Sequence, residues 1–140
     1  MIVQNGNSNT SQTGGVNISN VTTGTLHTLE FNTIADNEGA DDVFTGIACN
    51  AVTPAIVFSS NIVRGNTVSG TGDQVGGDSS CTSVFSDIGA TDLTFADADY
   101  HLPAASPLQG TADPSATIRV DIDGDPRPAG TGFDPGADEI

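Results

Sequence analysis

Lysine is absent from this chain of 140 residues, and only Arg64, Arg119 and Arg127 carry fixed positive charge. Against 18 Asp and Glu, that scarcity leaves a formal charge of −15 although only 15% of residues are charged. A nucleic-acid partner needs clustered Lys and Arg to displace counterions from phosphate, so nucleic acid is excluded. An anionic lipid surface is disfavoured on the same ground. Long apolar runs are missing too. The longest, Thr53 to Phe58, is far short of the ~20 residues of a membrane helix, so no membrane insertion is expected. The opening Met1-Ile-Val-Gln-Asn-Gly6 has neither the basic nor the apolar region of a signal peptide, so export would need a leader upstream. No Cys-x-x-Cys or Cys/His cluster occurs, and no zinc site is expected. No Gly-x-Ser-x-Gly elbow marks a nucleophile, and no long stretch combines helical periodicity with a cap.

What remains is rich in Gly, Asn, Thr, Ser, Val and Ile, a composition suited to many short strands joined by polar turns. A chain of this length forms one domain and buries roughly two-thirds of its surface. Disorder is the rival for polar, acidic, aromatic-poor sequences. Clusters such as Ile56-Val57-Phe58 and Ile62-Val63 argue against it, leaving Met1–Gly15 as the segment expected to fray or to fold over as a cap.

A repeat runs through the strands. Leu29-Glu-Phe-Asn-Thr-Ile-Ala-Asp-Asn37 and Phe58-Ser-Ser-Asn-Ile-Val-Arg-Gly-Asn66 place Asn32 and Asn37 each 29 residues before Asn61 and Asn66. A weaker copy puts Ser86-Asp87-Ile88 26 residues after Ser60-Asn61-Ile62. Val16-Asn-Ile-Ser-Asn20 alternates as a half-buried strand does. A period in the twenties with Asn at each bend reads as a solenoid, in which like side chains stack and fill an interior. Asn tolerates left-handed backbone at the bend and bonds the Asn above and below. Glu38–Asp42 and Val68–Ser80 are expected as outward loops. A β-sandwich also yields short strands and frequent turns, yet has no reason to repeat Asn at fixed offsets. Cys49 and Cys81 leave two readings open, a disulfide in an oxidising compartment or two buried thiols in the cytosol. A bridge would close about 33 residues, worth about 3–4 kcal/mol on loop-entropy grounds.

Three motifs follow in order: Asp99-Tyr-His-Leu-Pro-Ala-Ala-Ser-Pro107, Asp121-Ile-Asp-Gly-Asp-Pro-Arg-Pro128 and Asp134-Pro-Gly-Ala-Asp-Glu139. The trio resembles the closing segment of bacterial right-handed parallel β-helix proteins of the pectin-lyase-like superfamily, many with a C-terminal choice-of-anchor sorting region. The resemblance implies an all-β fold of about four or five coils of 22–30 residues, ending in an irregular tail. Residues 1–15 would be the frayed or capping segment, 16–95 the coils and 96–140 the closing segment. It also implies an extracellular or cell-surface address, with the N-terminal bulk of a usual helix absent. The expected function is a non-enzymatic module, structural or polysaccharide-binding. Such a module would self-associate as a homo-oligomer through its exposed N-terminal coil. The alternative is a carbohydrate-active enzyme, a lyase or hydrolase, or a fragment of one.

Candidate residues each carry two readings. Asp121, Asp123 and Asp125 alternate like the first half of a calcium loop. Pro126, however, stands where such a loop needs Gly, and Gly132 where it needs Glu, so an Asp-Gly turn is the plainer reading. Arg127 is expected to pair with Asp138 or Glu139 and pin the tail. Tyr100-His101 offers acid–base chemistry or ordinary packing, and His27 reads as a lone satisfied histidine. Superfamily lyases pair calcium with a basic residue; here only Arg64 lies on a repeated coil, and the chain's field repels acidic substrates. A hydrolase needs two opposed carboxylates, and no pair stands out.

Overall fold

A computed structural model describes residues 1–6, 14–22, 26–39, 46–68, 71–72, 75–77 and 81–140. Among them the chain is all-β with no helix. The strands are β1 (Ile2–Val3), β2 (Val16–Ser19), β3 (Thr28–Glu30), β4 (Thr33–Ala35), β5 (Glu38–Gly39), β6 (Ile47–Asn50) and β7 (Ile56–Ser59). They continue as β8 (Ile62–Arg64), β9 (Thr67–Val68), β10 (Thr71–Gly72), β11 (Val75–Gly77), β12 (Cys81–Val84) and β13 (Asp87–Ile88). Four small sheets result, ordered β1-β4-β8-β13, β2-β6-β11, β3-β7-β12 and β5-β9-β10. Every pairing is parallel except β9 with β10, whereas a sandwich is built from antiparallel neighbours.

The registers explain the sequence repeat. Leu29 pairs with Phe58 and Ile34 with Val63, so equivalent apolar side chains lie one above another. Alternation divides each strand between two faces. Ile34, Ile47, Cys49, Val52, Ile56, Phe58 and Val63 fill the interior, with Ile2, Val16, Ile18, Val21, Leu29, Cys81 and Ile88 half-buried around them. Thr33 and Ile62 point the other way, and both are 1% exposed because the C-terminal tail covers them. Cys49 on β6 and Cys81 on β12 form a disulfide, their Cα atoms 5.6 Å apart.

At Asn20 the Asn itself is left-handed, at φ 56°, as expected. At the two Asn ladders the structure departs from expectation: the left-handed residue is the one before the Asn, Phe31, Ser60, Asp36 and Gly65, at φ of 54°, 59°, 55° and 63°. With the turn made there, the Asn side chain lies along the stack. Asn32 donates its backbone N–H and its amide to Asn61 Oδ1, at 2.8 and 3.0 Å. Asn37 does the same to Asn66 Oδ1, at 3.1 and 2.7 Å. Asn61 then donates to the carbonyls of Leu29 and Ser59. Asn37, Asn61 and Asn66 are fully buried with amide oxygen and nitrogen both engaged, as buried polar groups require.

Two further members extend these ladders. Asn5 donates its N–H and amide to Asn37 Oδ1. The third copy aligns at an offset of 25, not 26: the N–H of Asn61 donates to Ser86 Oγ at 2.9 Å. Ser86 replaces Asn because its hydroxyl accepts that N–H while donating towards the Val84 and Phe58 carbonyls. Ile2–Val3, in the segment expected to fray or to fold over as a cap, form β1 against β4. Other expectations are corrected. Glu38–Gly39, read as loop, form β5, and Val68, Thr71–Gly72 and Val75–Gly77 are paired strand. Backbone hydrogen bonding to stacked neighbours outweighs the weak strand preference of Gly. Residues 7–13, 40–42, 69–70, 73–74 and 78–80 of those segments lie outside the described residues.

After β13 the tail is irregular, with one antiparallel bridge between Val120 and Pro126. It lies against the outer face of the first sheet. Leu93, Leu102 and Leu108 cover Ile62, and Ala112 and Phe133 cover Phe31. The N–H groups of Ala137, Gly136 and Asp113 donate to Thr33 Oγ1, the Ser60 carbonyl and Ser60 Oγ, at 3.0, 2.8 and 3.0 Å. Gly136 has φ 92°, and a Cβ there would stand 2.7 Å from Ile62 Cδ1. Only glycine permits both the angle and the approach.

Candidate functional site

The tail gathers most of the titratable groups that sequence reading singled out. Asp97 opens a turn in which the N–H of Ala96 donates to the His101 carbonyl at 2.8 Å. Asp97 Oδ1 accepts the N–H of Asp99 and of His101, and its Oδ2 stands 2.7 Å from His101 Nδ1. The opposite ring nitrogen, Nε2, is 2.9 Å from Asp123 Oδ2. Asp123 arrives there on a second turn. Asp121 Oδ1 accepts the N–H groups of Asp123 and Asp125 at 2.9 and 2.8 Å, and Gly124 sits at φ 90°. This is the local side-chain–backbone turn that Asp favours.

A backbone bond from the N–H of Ile122 to the Ala137 carbonyl, at 2.9 Å, ties this turn to the chain end. That brings Asp123 beside Asp138. Asp138 is buried, and its Oδ2 accepts the Leu102 N–H at 2.6 Å. Among the described residues, one group of three His, Cys, Asp or Glu side chains has ligand atoms within 4.8 Å of one another: His101, Asp123 and Asp138. Asp121 and Asp125 do not belong to it, since Asp121 is engaged in capping its own turn.

The electrostatics follow from contact. The hydrogen bond to Asp97 is the main cause holding the His101 imidazole up to about 9, with further help from Asp123 and opposition from desolvation. The same bond holds the Asp97 carboxyl below its ordinary value. Burial pushes Asp138 up. At neutral pH the ring is therefore an imidazolium clamped between two carboxylates, a donor rather than a general base.

A second constellation fixes the tail. Arg127 is buried and donates from Nη1 to the Asp134 carbonyl and to Glu139 Oε2, at 2.9 and 3.2 Å, and from Nη2 to the Gly136 carbonyl at 2.9 Å. Its guanidinium lies 4.7 Å over the Phe31 ring. Glu139 also accepts the N–H groups of Ala129 and Asp134. Asp134 takes those of Gly110 and Ile140. Arg127 thus contacts Glu139, while Asp138 faces Leu102 and the His101 ring.

Arg64 reaches the Thr91 carbonyl at 3.2 Å and stands 4.0 Å from Asp87 Oδ2. Tyr100 is buried and donates its hydroxyl to Asp36 at 2.8 Å. His27 is half-buried, and its carbonyl accepts the Val57 N–H. Sequence reading missed Asp97, four residues before His101; the Asp-x-x-x-His spacing was visible but carries no specific signal alone. It also missed Asn5, whose partner Asn37 lies 32 residues on rather than 29. No helix among the described residues is long and apolar enough to cross a membrane. The chain matches no protein-family model, no curated protein and no solved structure.

Proposed function

We propose that this chain is the closing end of a right-handed parallel β-helix of the pectin-lyase-like kind, working outside the cell as a non-enzymatic module that assembles by stacking. One observation carries the reading. Equivalent residues recur along parallel ladders, and among the described residues two of the ladders end at β2 and β3 with one side of each strand unpaired. There Val16, Ile18 and Leu29 are only half-buried over the interior. An open edge above an apolar interior is a template for another strand layer, and a second copy of the chain can supply it. The Cys49–Cys81 disulfide fits an oxidising compartment. A formal charge of −15 disfavours uronate-rich polysaccharide as the partner, because like charges repel.

Light scattering after size exclusion, over a range of protein concentrations, tests this. A dimer or larger species is expected, and Ile18→Glu should return it to a monomer with the disulfide and strand signal intact. A monomeric wild type overturns the reading. An oligomer indifferent to Ile18→Glu removes the edge from the interface.

A further inference from the structure

We propose that His101 Nε2, Asp123 and Asp138 form a binding site for a first-row transition cation, zinc in chemical class, with Asp97 as the outer partner that aims the ring. The three ligands come from three separate segments: the turn before Leu102, the Asp121–Asp125 turn and the chain end. No contiguous motif announces them, so the absence of a Cys/His signature does not bear on this site.

The geometry is close to what such an ion demands. Zinc takes nitrogen and oxygen ligands at about 2.0–2.2 Å, which in a tetrahedron sets neighbouring ligand atoms about 3.3 Å apart. Here Nε2 and Asp123 Oδ2 are 2.9 Å apart, and all three ligand atoms lie within 4.8 Å. Adjustments of order 1 Å suffice, and Asp123 can make them because its side chain is 51% exposed. Asp138 is the fixed ligand, buried and anchored by the Leu102 N–H. The His101 side chain is 32% exposed, so water can supply a fourth ligand.

Asp97 holds Nδ1 at 2.7 Å from behind. That carboxylate–imidazole arrangement fixes ring orientation and strengthens the ligand in metal sites. One imidazole and two carboxylates suit zinc better than calcium, which seeks six to eight oxygens. Two carboxylates also neutralise a divalent charge, and the field of so acidic a chain favours cation entry. Binding releases the imidazole proton to solvent and leaves the ion as a staple joining both turns to the chain end.

Calorimetric titration of the intact chain with Zn²⁺ at about pH 8, where proton release is easier, should show one saturable equivalent. Co²⁺ should give a visible band of mixed nitrogen and oxygen ligation. His101→Gln and Asp123→Asn should each weaken binding by at least ~100-fold, and Asp97→Asn by ~10–100-fold. Should a variant fail to fold, ring ¹⁵N resonances of the wild type decide, with His27 as internal control. Zn²⁺ must shift His101 Nε2 and leave His27 unmoved. Absence of saturable binding, binding retained in His101→Gln or Asp123→Asn, or a response at His27 alone would each overturn the site.

Discussion

Arg127→Met tests how the tail is held to the sheets. Met keeps much of the side-chain stem over Phe31 but removes three donated bonds, to the Asp134 and Gly136 carbonyls and to Glu139. Both side chains of the ion pair are at most 1% exposed. Burial pulls the Arg127 guanidinium below its usual value and pushes Glu139 up, and each partner is the other's compensation. Stripping one charge from a buried pair typically costs about 3–5 kcal/mol, chiefly because the other is left without a partner. The lost bonds to carbonyls are part of that figure rather than an addition to it. Set against a whole-domain stability of about 5–15 kcal/mol, the variant is marginal.

The molecule carries its own probe for the assay. Tyr100 is the single Tyr and Trp is absent, and its hydroxyl bonds Asp36 across the seam between tail and sheets. Tyrosine fluorescence and near-ultraviolet dichroism therefore follow tail docking, while far-ultraviolet dichroism follows the strands. In urea, Arg127→Met should lose about 3–5 kcal/mol by the tyrosine probe. Adding Glu139→Gln should restore about 1–3 kcal/mol, since it removes the stranded charge. A loss under about 1 kcal/mol, or a double variant showing the plain sum of the single losses, would refute the clasp.

Three further outcomes are expected. Asn66→Ala strips the acceptor from the Asn37 N–H and amide and the donor from the Ile34 carbonyl, all buried. Chemical denaturation should show a loss of about 2–5 kcal/mol, against under about 0.5 for exposed Asn17→Ala. With chelator present, His101 is raised from 6.5 to about 9 on folding. Its stabilisation is therefore full below the lower value and fades as pH climbs through the higher. Melting curves should show wild type losing that advantage over His101→Asn across the window, and parallel curves would contradict it. Gly136→Ala drives a methyl to 2.7 Å from Ile62 Cδ1 at φ 92°, costing about 2–4 kcal/mol. Ile62→Val deletes that Cδ1 and should make the double variant more stable than additivity predicts.

The strands were legible because stacking is a repeated local rule. Asn32 and Asn61, Asn37 and Asn66, and the apolar residues between them recur at one offset, and the registers place them opposite one another. Legibility failed where that rule is met by other chemistry. Ser86 does an asparagine's work with a hydroxyl, so identity matching slipped its alignment by one residue. Phe31, Ser60 and Phe85 take the left-handed angle at one coil position, whether the side chain is packed, as Phe31 is by Phe133 and Arg127, or 52% exposed, as Phe85 is, so the residue type gives no signature of it. The tail was readable as motifs but not as contacts. Glu139 was nominated as a partner for the only nearby cation, and the ion pair is there. By contrast, the meeting of His101 with Asp123 depends on two turns and one backbone bond from Ile122 to Ala137, which spacing along the chain does not encode.

Two of the three arginines bridge tail and sheets. Arg64 leaves the first sheet to bond Thr91 in the tail. Arg119 lies 5.5 Å over Phe133, which packs on Phe31, and Arg127 lies over Phe31 itself. Arg64 and Arg127 are thus placed where tail meets sheet, while Arg119 is exposed on the tail itself. At the buried Arg127 the low dielectric makes each contact strong, and an unpaired charge costly. Docking of the tail in another register would take Arg64 from the Thr91 carbonyl and Arg127 from the Phe31 ring, so these two contacts favour the observed register. The exposed surface is rich in acidic groups and poor in fixed cations, which opposes casual edge-to-edge pairing between copies. Under the proposed stacking, the first-layer edge at Val16, Ile18 and Leu29, half-buried over the interior, is where contact between copies would gain apolar burial against that repulsion.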